Sequence, residues 1–162
     1  MAAPDRSNAE LRAALRDFYE DYAASLDDLR LEDWAEFFTD DALYRVMGRE
    51  TYDQDLTHST IYCDGGAMIR DRAAALRRTA VYEPRLMRRF VSGVRVLEDS
   101  DDEIQAEANF MISEAMYDRP ARLFLAGQYK DCIVRTEAGF RFKARTAVYD
   151  NYSIPITLIL PV

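Results

Sequence analysis

The clearest alternation of apolar and polar positions lies beyond the middle of the chain. Ile104, Ala106, Ala108, Phe110 and Ile112 alternate with Gln105, Glu107, Asn109, Met111 and Ser113. A period of two with one apolar side predicts a half-buried strand. Phe140, Phe142, Ala144, Thr146 and Val148 alternate with Arg141, Lys143, Arg145, Ala147 and Tyr149 and predict a second strand, with the first set inward. Between them, residues 121–135 are partly apolar on both sides, with Leu123, Leu125, Tyr129 and Ile133 on one and Phe124, Ala126, Cys132 and Val134 on the other. A strand of that kind is central or covered on both faces. Asp118-Arg119-Pro120 breaks the chain before it. Glu137-Ala138-Gly139 is a short turn after it, so the last two strands form a hairpin. Residues 85–97 predict one more strand. The acidic stretch 98–102 that follows reads as a solvated loop tip, because a calcium loop needs more residues, a glycine and a closing glutamate.

The first half of the chain has the other periodicity. Leu11, Leu15, Phe18, Tyr22 and Leu26 recur at spacings of four and three and form one stripe of a helix. Ser7 and Glu10 stand in capping-box spacing at its start. Leu31, Trp34, Ala35 and Phe38 predict a short second helix, ended by Thr39-Asp40-Asp41. Residues 42–47 read as a strand, 48–56 as a loop, and 57–63, rich in β-branched residues, as another strand. Met68, Ile69, Ala73, Leu76 and Ala80 give a third helical face, stopped by Pro84. Helices segregated from strands predict an α+β fold. The order fits one domain over 1–162, with a strongly curved sheet wrapped on its concave side by the helices.

Composition narrows the partners. The net charge is −8 and there is no basic block, which disfavours nucleic acid and anionic membrane. No apolar run approaches the roughly 20 residues that span a bilayer. Cys63 and Cys132 form no close pair, and the first ten residues are polar. Reduced, buried thiols in a cytoplasmic protein are therefore expected.

Trp34, Phe37, Phe38, Asp41 and Tyr44 match the W-x-x-[LF]-F-x-x-D-x-x-Y stretch of the cone-shaped nuclear-transport-factor-2-like (cystatin-like roll) fold, in which Trp and Phe close the wide end of the cone. Further pieces follow in order: Asp71-Arg72, Tyr82-Glu83-Pro84, Arg88-Arg89-Phe90-Val91-Ser92-Gly93, Gly127-Gln128-Tyr129-Lys130-Asp131 and Arg145-Thr146-Ala147-Val148-Tyr149-Asp150. Together they resemble the small (β) subunit of bacterial aromatic-ring-hydroxylating dioxygenases, nearest to the branch acting on carboxylated aromatics such as terephthalate, salicylate or anthranilate. The sequence departs from that pattern at Arg89 and Gly93, where the family often has His and Asn, and at Phe140 or Phe142, where it usually has Trp. The resemblance implies a structural subunit that assembles with a large subunit, three of each. The large subunit would carry a Rieske [2Fe–2S] cluster and a mononuclear iron.

The residue inventory agrees with that implication independently. A Rieske centre needs two His and two Cys, and a facial-triad iron needs two His and a carboxylate. The chain has one histidine, His58. A zinc site from Cys63, Cys132, His58 and a carboxylate lacks close-spaced ligand pairs. No nucleophile elbow or phosphate loop is present. The competing enzyme reading is a cofactor-free isomerase or dehydratase, in which an interior Asp or His acts as base beside a Tyr donor, with Asp41, Tyr44, His58 and Tyr62 as candidates. A small-molecule binding module using the same cavity is a third. The plainer reading makes Tyr44 and Tyr62 core aromatics with hydroxyls near the rim and His58 an ordinary surface or interface residue. For subunit contacts the candidates are Arg70, Arg72, Arg88 and Arg89, whose alternative is a solvated face, and Ile156, Leu158 and Leu160. Those three belong to the apolar tail 154–162, which either folds back on the domain or meets another subunit.

Overall fold

The structure, a computed structural model, describes residues 6–78, 83–154 and 158–162, with the side chains of 6 and 7 left aside. Four helices, α1 (Arg6–Asp27), α2 (Leu31–Ala35), α3 (Arg49–Asp53) and α4 (Gly66–Arg78), accompany six strands. These are β1 (Phe38–Gly48), β2 (Ile61–Asp64), β3 (Arg85–Asp99), β4 (Glu103–Met116), β5 (Arg119–Thr136) and β6 (Gly139–Tyr149). They form one mixed sheet in the order β2-β1-β6-β5-β4-β3, parallel only between β1 and β6.

Helix α1 buries Leu15, Phe18, Tyr22 and Leu26 of the predicted stripe, with Leu11 partly buried against the same core, and it also buries Tyr19, which the stripe did not include. It begins at Arg6, ahead of the Ser7 cap. It ends where Leu29 takes a φ of 55° and Arg30 N–H donates to the Ser25 carbonyl at 2.7 Å. That is a closing turn in which leucine holds the left-handed position usual for glycine. Phe18 and Tyr19 lay α1 against the sheet, with ring centroids 4.7 Å from Phe142 and 6.1 Å from Tyr129. Trp34 is fully buried, edge-on to Phe38 and Tyr44 at 5.5 and 5.6 Å. On α4 the buried face is Ile69, Ala73 and Leu76, while Met68 is exposed and Ala80 lies outside the described residues. The expected loop 48–56 holds the short helix α3, and the strand expected over 57–63 is confined to β2.

The alternation of β4 survives intact. Ile104, Ala106, Ala108, Phe110 and Ile112 all face the helices. That of β6 does not. Cys132 pairs with Ala144 but Ile133 pairs with Phe142, so Lys143 is an extra residue on β6. Such a bulge shifts the phase of a period-two pattern by one. Phe142 therefore faces the helices, as do Arg145 and Ala147, whereas Ala144 and Thr146 turn outward. A shift between Ile112 and Ser113 likewise moves Leu123 to the outer face, opposite Ser113.

Two glycines are required by the backbone. Gly93 sits at φ 62° in the bulge between Ser92 and Arg95, a left-handed region that glycine occupies without a Cβ penalty. At Gly127 a Cβ would lie 2.0 Å from the Val148 carbonyl oxygen, so β5 and β6 can approach only around glycine.

Candidate functional site

In a curved sheet wrapped on helices, the place for chemistry is the helix-facing interior. β5 contributes the row Leu125, Gly127, Tyr129, Asp131 and Ile133, all buried. The bulge on β6 sets Arg145 directly opposite Asp131. Arg145 Nε and Nη2 donate to Asp131 Oδ1 and Oδ2, both at 3.0 Å, and Tyr19 Oη donates to Asp131 Oδ2 at 2.5 Å. Neither side chain of the ion pair is exposed at all. Around the guanidinium stand Tyr129, Phe142, Tyr22 and Tyr19, with ring centroids 3.8, 4.0, 4.1 and 5.0 Å from its central carbon. Ring faces attract a cation, which offsets part of the cost of burying it. Arg145 Nη1 and Tyr129 Oη have no hydrogen-bond partner among the described residues.

The electrostatics follow from burial. Burial pushes the Asp131 carboxyl upward, while Arg145 and the Tyr19 hydroxyl pull it down. For Arg145, burial pulls downward, but Asp131 and the tyrosines outweigh it and the guanidinium stays charged. Burial also raises Tyr19, Tyr44 and Tyr129 above the ordinary phenol range, so all three remain neutral donors near pH 7. The carboxylate is engaged by three donors and shielded by rings. A general base must reach a substrate proton, and this one has no free approach.

The end of the chain closes another side of the interior. Tyr22 Oη donates to the Val162 carbonyl at 2.7 Å, and Val162 N–H donates to Tyr44 Oη at 2.8 Å. Arg89 is buried, with Nη1 on Asp27 Oδ1 and Nη2 on the Pro161 carbonyl, each at 2.6 Å. Arg72 Nη2 donates to the Ile159 carbonyl at 3.0 Å. Leu158, Leu160 and Val162 are buried in the same core. Ile156 lies outside the described residues. Of the described side chains considered for subunit contacts, Arg72, Arg89, Leu158 and Leu160 are thus engaged within the chain. Arg70 faces solvent and pairs with Asp40 at 3.1 Å, and Arg88 faces solvent without a carboxylate partner among the described residues.

The four enzyme candidates do not meet. The registers Tyr44↔Cys63 and Arg45↔Tyr62 set Tyr44 and Tyr62 on opposite faces of the sheet. Tyr44 is fully buried and Tyr62 half exposed. His58 is exposed between α3 and β2. Asp41 is exposed too, and the Thr39 hydroxyl, donating at 2.7 Å, helps hold its carboxyl below the usual range. A surface groove of about 550 Å³ between α3 and Tyr149–Tyr152, and another of about 400 Å³ between α1 and the β5–β6 turn, are lined by none of the four. No three His, Cys, Asp or Glu converge among the described residues, and the donor set fits neither iron group considered above. Cys63 and Cys132 are free thiols, both raised by burial. No helix among the described residues is long and apolar enough to cross a membrane.

The Asp131–Arg145 pair is the element that sequence reasoning missed. Asp131 shares the parity of Leu125, Tyr129 and Ile133, so an inward acid was readable, and a buried acid demands a cation. The bulge that delivers the cation has no signature within β6 alone.

A cone-shaped α+β roll of this kind, with its interior filled, belongs to the nuclear-transport-factor-2-like class. A scytalone dehydratase assignment from Novosphingobium aromaticivorans shares the fold at 17% identity, with a TM-score of 0.72 over 96% of this chain and 94% of that one. The family described as "Ring hydroxylating beta subunit" matches residues 22–155, and the chain belongs to it. The anthranilate 1,2-dioxygenase small subunit of Burkholderia cepacia is 33% identical over 141 residues, 87% of this chain and 88% of that one. A terephthalate 1,2-dioxygenase terminal oxygenase beta subunit from Comamonas is 31% identical over 86% of this chain and 91% of its own length. A crystal structure assigned as an aromatic-ring-hydroxylating dioxygenase beta subunit from N. aromaticivorans superposes with a TM-score of 0.86 at 33% identity, covering 95% of this chain and 98% of that one.

Proposed function

We propose that this chain is the non-catalytic small subunit of a cytoplasmic aromatic-ring-hydroxylating oxygenase that acts on a carboxylated aromatic. Its partner is a large subunit carrying the Rieske cluster and the mononuclear iron, in a complex of three large and three small chains. The observation that carries this reading is the interior: where a cone-fold enzyme needs a reachable acid or base, this chain has an ion pair sealed among four rings. Membership in the beta-subunit family supports the same conclusion. Co-expression with a large subunit that carries the Rieske ligand pattern is the test. The expected result is one complex with equal numbers of both chains, which hydroxylates anthranilate or terephthalate only when both are present. Stoichiometric iron on the isolated chain, with turnover of either acid, overturns the reading.

A further inference from the structure

The β6 bulge that turns Arg145 inward also turns Ala144 and Thr146 outward. On the outer face these two small side chains form the floor of a hollow of about 320 Å³, walled by Arg45, Tyr52, Leu97, Gln105, Lys130 and Cys132. Register explains the walls. Arg45 on β1 stands on one side of Thr146 and Lys130 on β5 on the other. Cys132 and Gln105 continue the rung of Ala144. Leu97 is the extra residue where β3 shifts against β4, and it is 61% exposed. Tyr52, half-buried, is supplied by α3.

This hollow is locally positive on a chain of net charge −8. Lys130 and Arg95 share one carboxylate, Glu107, at 2.7 and 2.5 Å, which leaves that group a positive charge in excess. Glu103, beyond Cys132, is taken by Lys143 at 2.6 Å. Arg45 has no carboxylate partner among the described residues. Its Nη2 donates to the Thr146 hydroxyl at 3.1 Å, which fixes the guanidinium plane, and its Nε is shielded from water without an acceptor. A half-buried cation in that state gains from an anion that reaches it. We propose that the hollow is a binding site for a small aromatic monocarboxylate. The carboxylate meets the Arg45 fork, a geometry guanidinium suits, and the ring lies over Ala144 between Leu97 and Tyr52. A phosphate finds no helix N-terminus here, and the floor is a hydrogen-bonded sheet whose N–H groups are already used. The volume is at the small end for ligand sites, and apolar walls with a few polar groups are their usual lining. The ligand class coincides with the substrate class proposed above but is read from the hollow alone, on the face of the sheet opposite the Asp131–Arg145 pair.

The test titrates the isotope-labelled full chain with benzoate at low salt and follows its amide signals and the Arg45 Nε–H by NMR. Benzoate should bind with a Kd of about 1 mM or tighter, and the amides that shift should include those of Arg45, Leu97, Cys132 and Thr146. Arg45→Gln should weaken binding by at least about tenfold, and Leu97→Ala by about threefold. Arg70→Gln, which alters an exposed arginine on α4, should stay within about twofold of wild type. Acetate and inorganic phosphate, which lack the ring, should each bind at least about tenfold more weakly than benzoate. If Arg45→Gln does not fold, Arg45→Lys keeps the charge, loses the fork and should weaken binding in the same direction. Leu97 is exposed, so its truncation should leave the fold intact. Absence of saturable benzoate binding, shifts confined to other residues, or Arg45 variants that bind like wild type overturn the site. Acetate as tight as benzoate also overturns it, because the hollow then accepts a bare carboxylate such as a partner's acidic side chain. Phosphate as tight as benzoate does the same, because the hollow then reads charge alone. None of these outcomes touches the proposed function, which co-expression with the large subunit decides.

Discussion

Lys130 and Asp131 are adjacent on β5, and each forms an ion pair with a neighbouring strand, on opposite faces of one sheet. On the outside, Lys130 meets Glu107, whose side chain keeps 12% of its exposure and also holds Arg95. On the inside, Asp131 meets Arg145 with no exposure on either partner. The covalent separation is one residue, but the physics differs. The outer pair sits beside water, so losing a partner leaves a charge that solvent can stabilise. The inner pair has surrendered its hydration, and each partner is tolerable only because the other is present. One sheet thus carries two ion pairs a residue apart, one that water supports and one that only its own partners support.

The sharpest way to break this comparison is to remove one member of each pair. Arg145→Ala leaves Asp131 buried without its cation and opens space among Tyr22, Tyr129 and Phe142. It should cost about 3–5 kcal/mol, read as a lowered urea midpoint, and much of the protein should be insoluble. Lys130→Ala should cost no more than about 1 kcal/mol. If hydration is the cause, replacing both inner partners with apolar residues, Asp131→Leu with Arg145→Met, should recover much of the loss. Equal costs for Arg145→Ala and Lys130→Ala would erase the distinction.

Gly127 sharpens the comparison from the backbone side. It lies two residues before Tyr129 on the same inner row, where a Cβ would run into the β6 backbone. Gly127→Ala drives a methyl group against the Val148 carbonyl and the Tyr149 Cα, 2.0 and 2.8 Å from the new Cβ. These are backbone atoms and cannot rotate away, so a loss of about 1–3 kcal/mol is expected. Gly139→Ala is the contrast. A Cβ there meets nothing within 4 Å, and its cost should come only from the left-handed φ of 112° in the hairpin turn. Denaturant midpoints of the two variants should rank Gly127→Ala as the more damaging.

These residues also show what the sequence could and could not reveal. β4 was legible because a clean alternation needs no information beyond its own strand. The stripe of α1 was legible for the same reason at a period of 3.6. Arg145 was not, because its direction depends on one extra residue, Lys143, relative to β5. Register belongs to a pair of strands, so a pattern read along one of them cannot contain it. The expected inward set Phe140, Phe142, Ala144, Thr146 and Val148 was right up to the bulge and inverted beyond it at Ala144 and Thr146. Leu123 crossed faces by the same device on the other side of β5. Leu123 was placed on the same side as Leu125, Tyr129 and Ile133, and Met111 among the polar alternates of β4, yet both are exposed on the outer face.

The smallest expected effect concerns Glu107, and its value lies in its sign. Hydrogen bonding from Lys130 is the largest influence holding this carboxyl below its ordinary value of 4.5, with Arg95 adding to it and burial opposing it. A carboxyl depressed in the folded state binds its proton less readily there than in the unfolded chain. The stabilisation is therefore present above the unfolded value and is lost as the pH falls through the folded one. Comparing wild type with Glu107→Gln should give a difference of about 0.2–1 kcal/mol near pH 7 that disappears on acidification. Raising the salt to about 1 M shortens the screening length to about 3 Å and should shrink the same difference. Arg145→Ala has no reason to respond to salt in this way, because its ion pair lies beyond the reach of solvent ions. A Glu107→Gln difference that stayed constant from neutral to acid pH would mean that the outer pair draws its strength from packing, and the contrast between the two faces would then be one of degree.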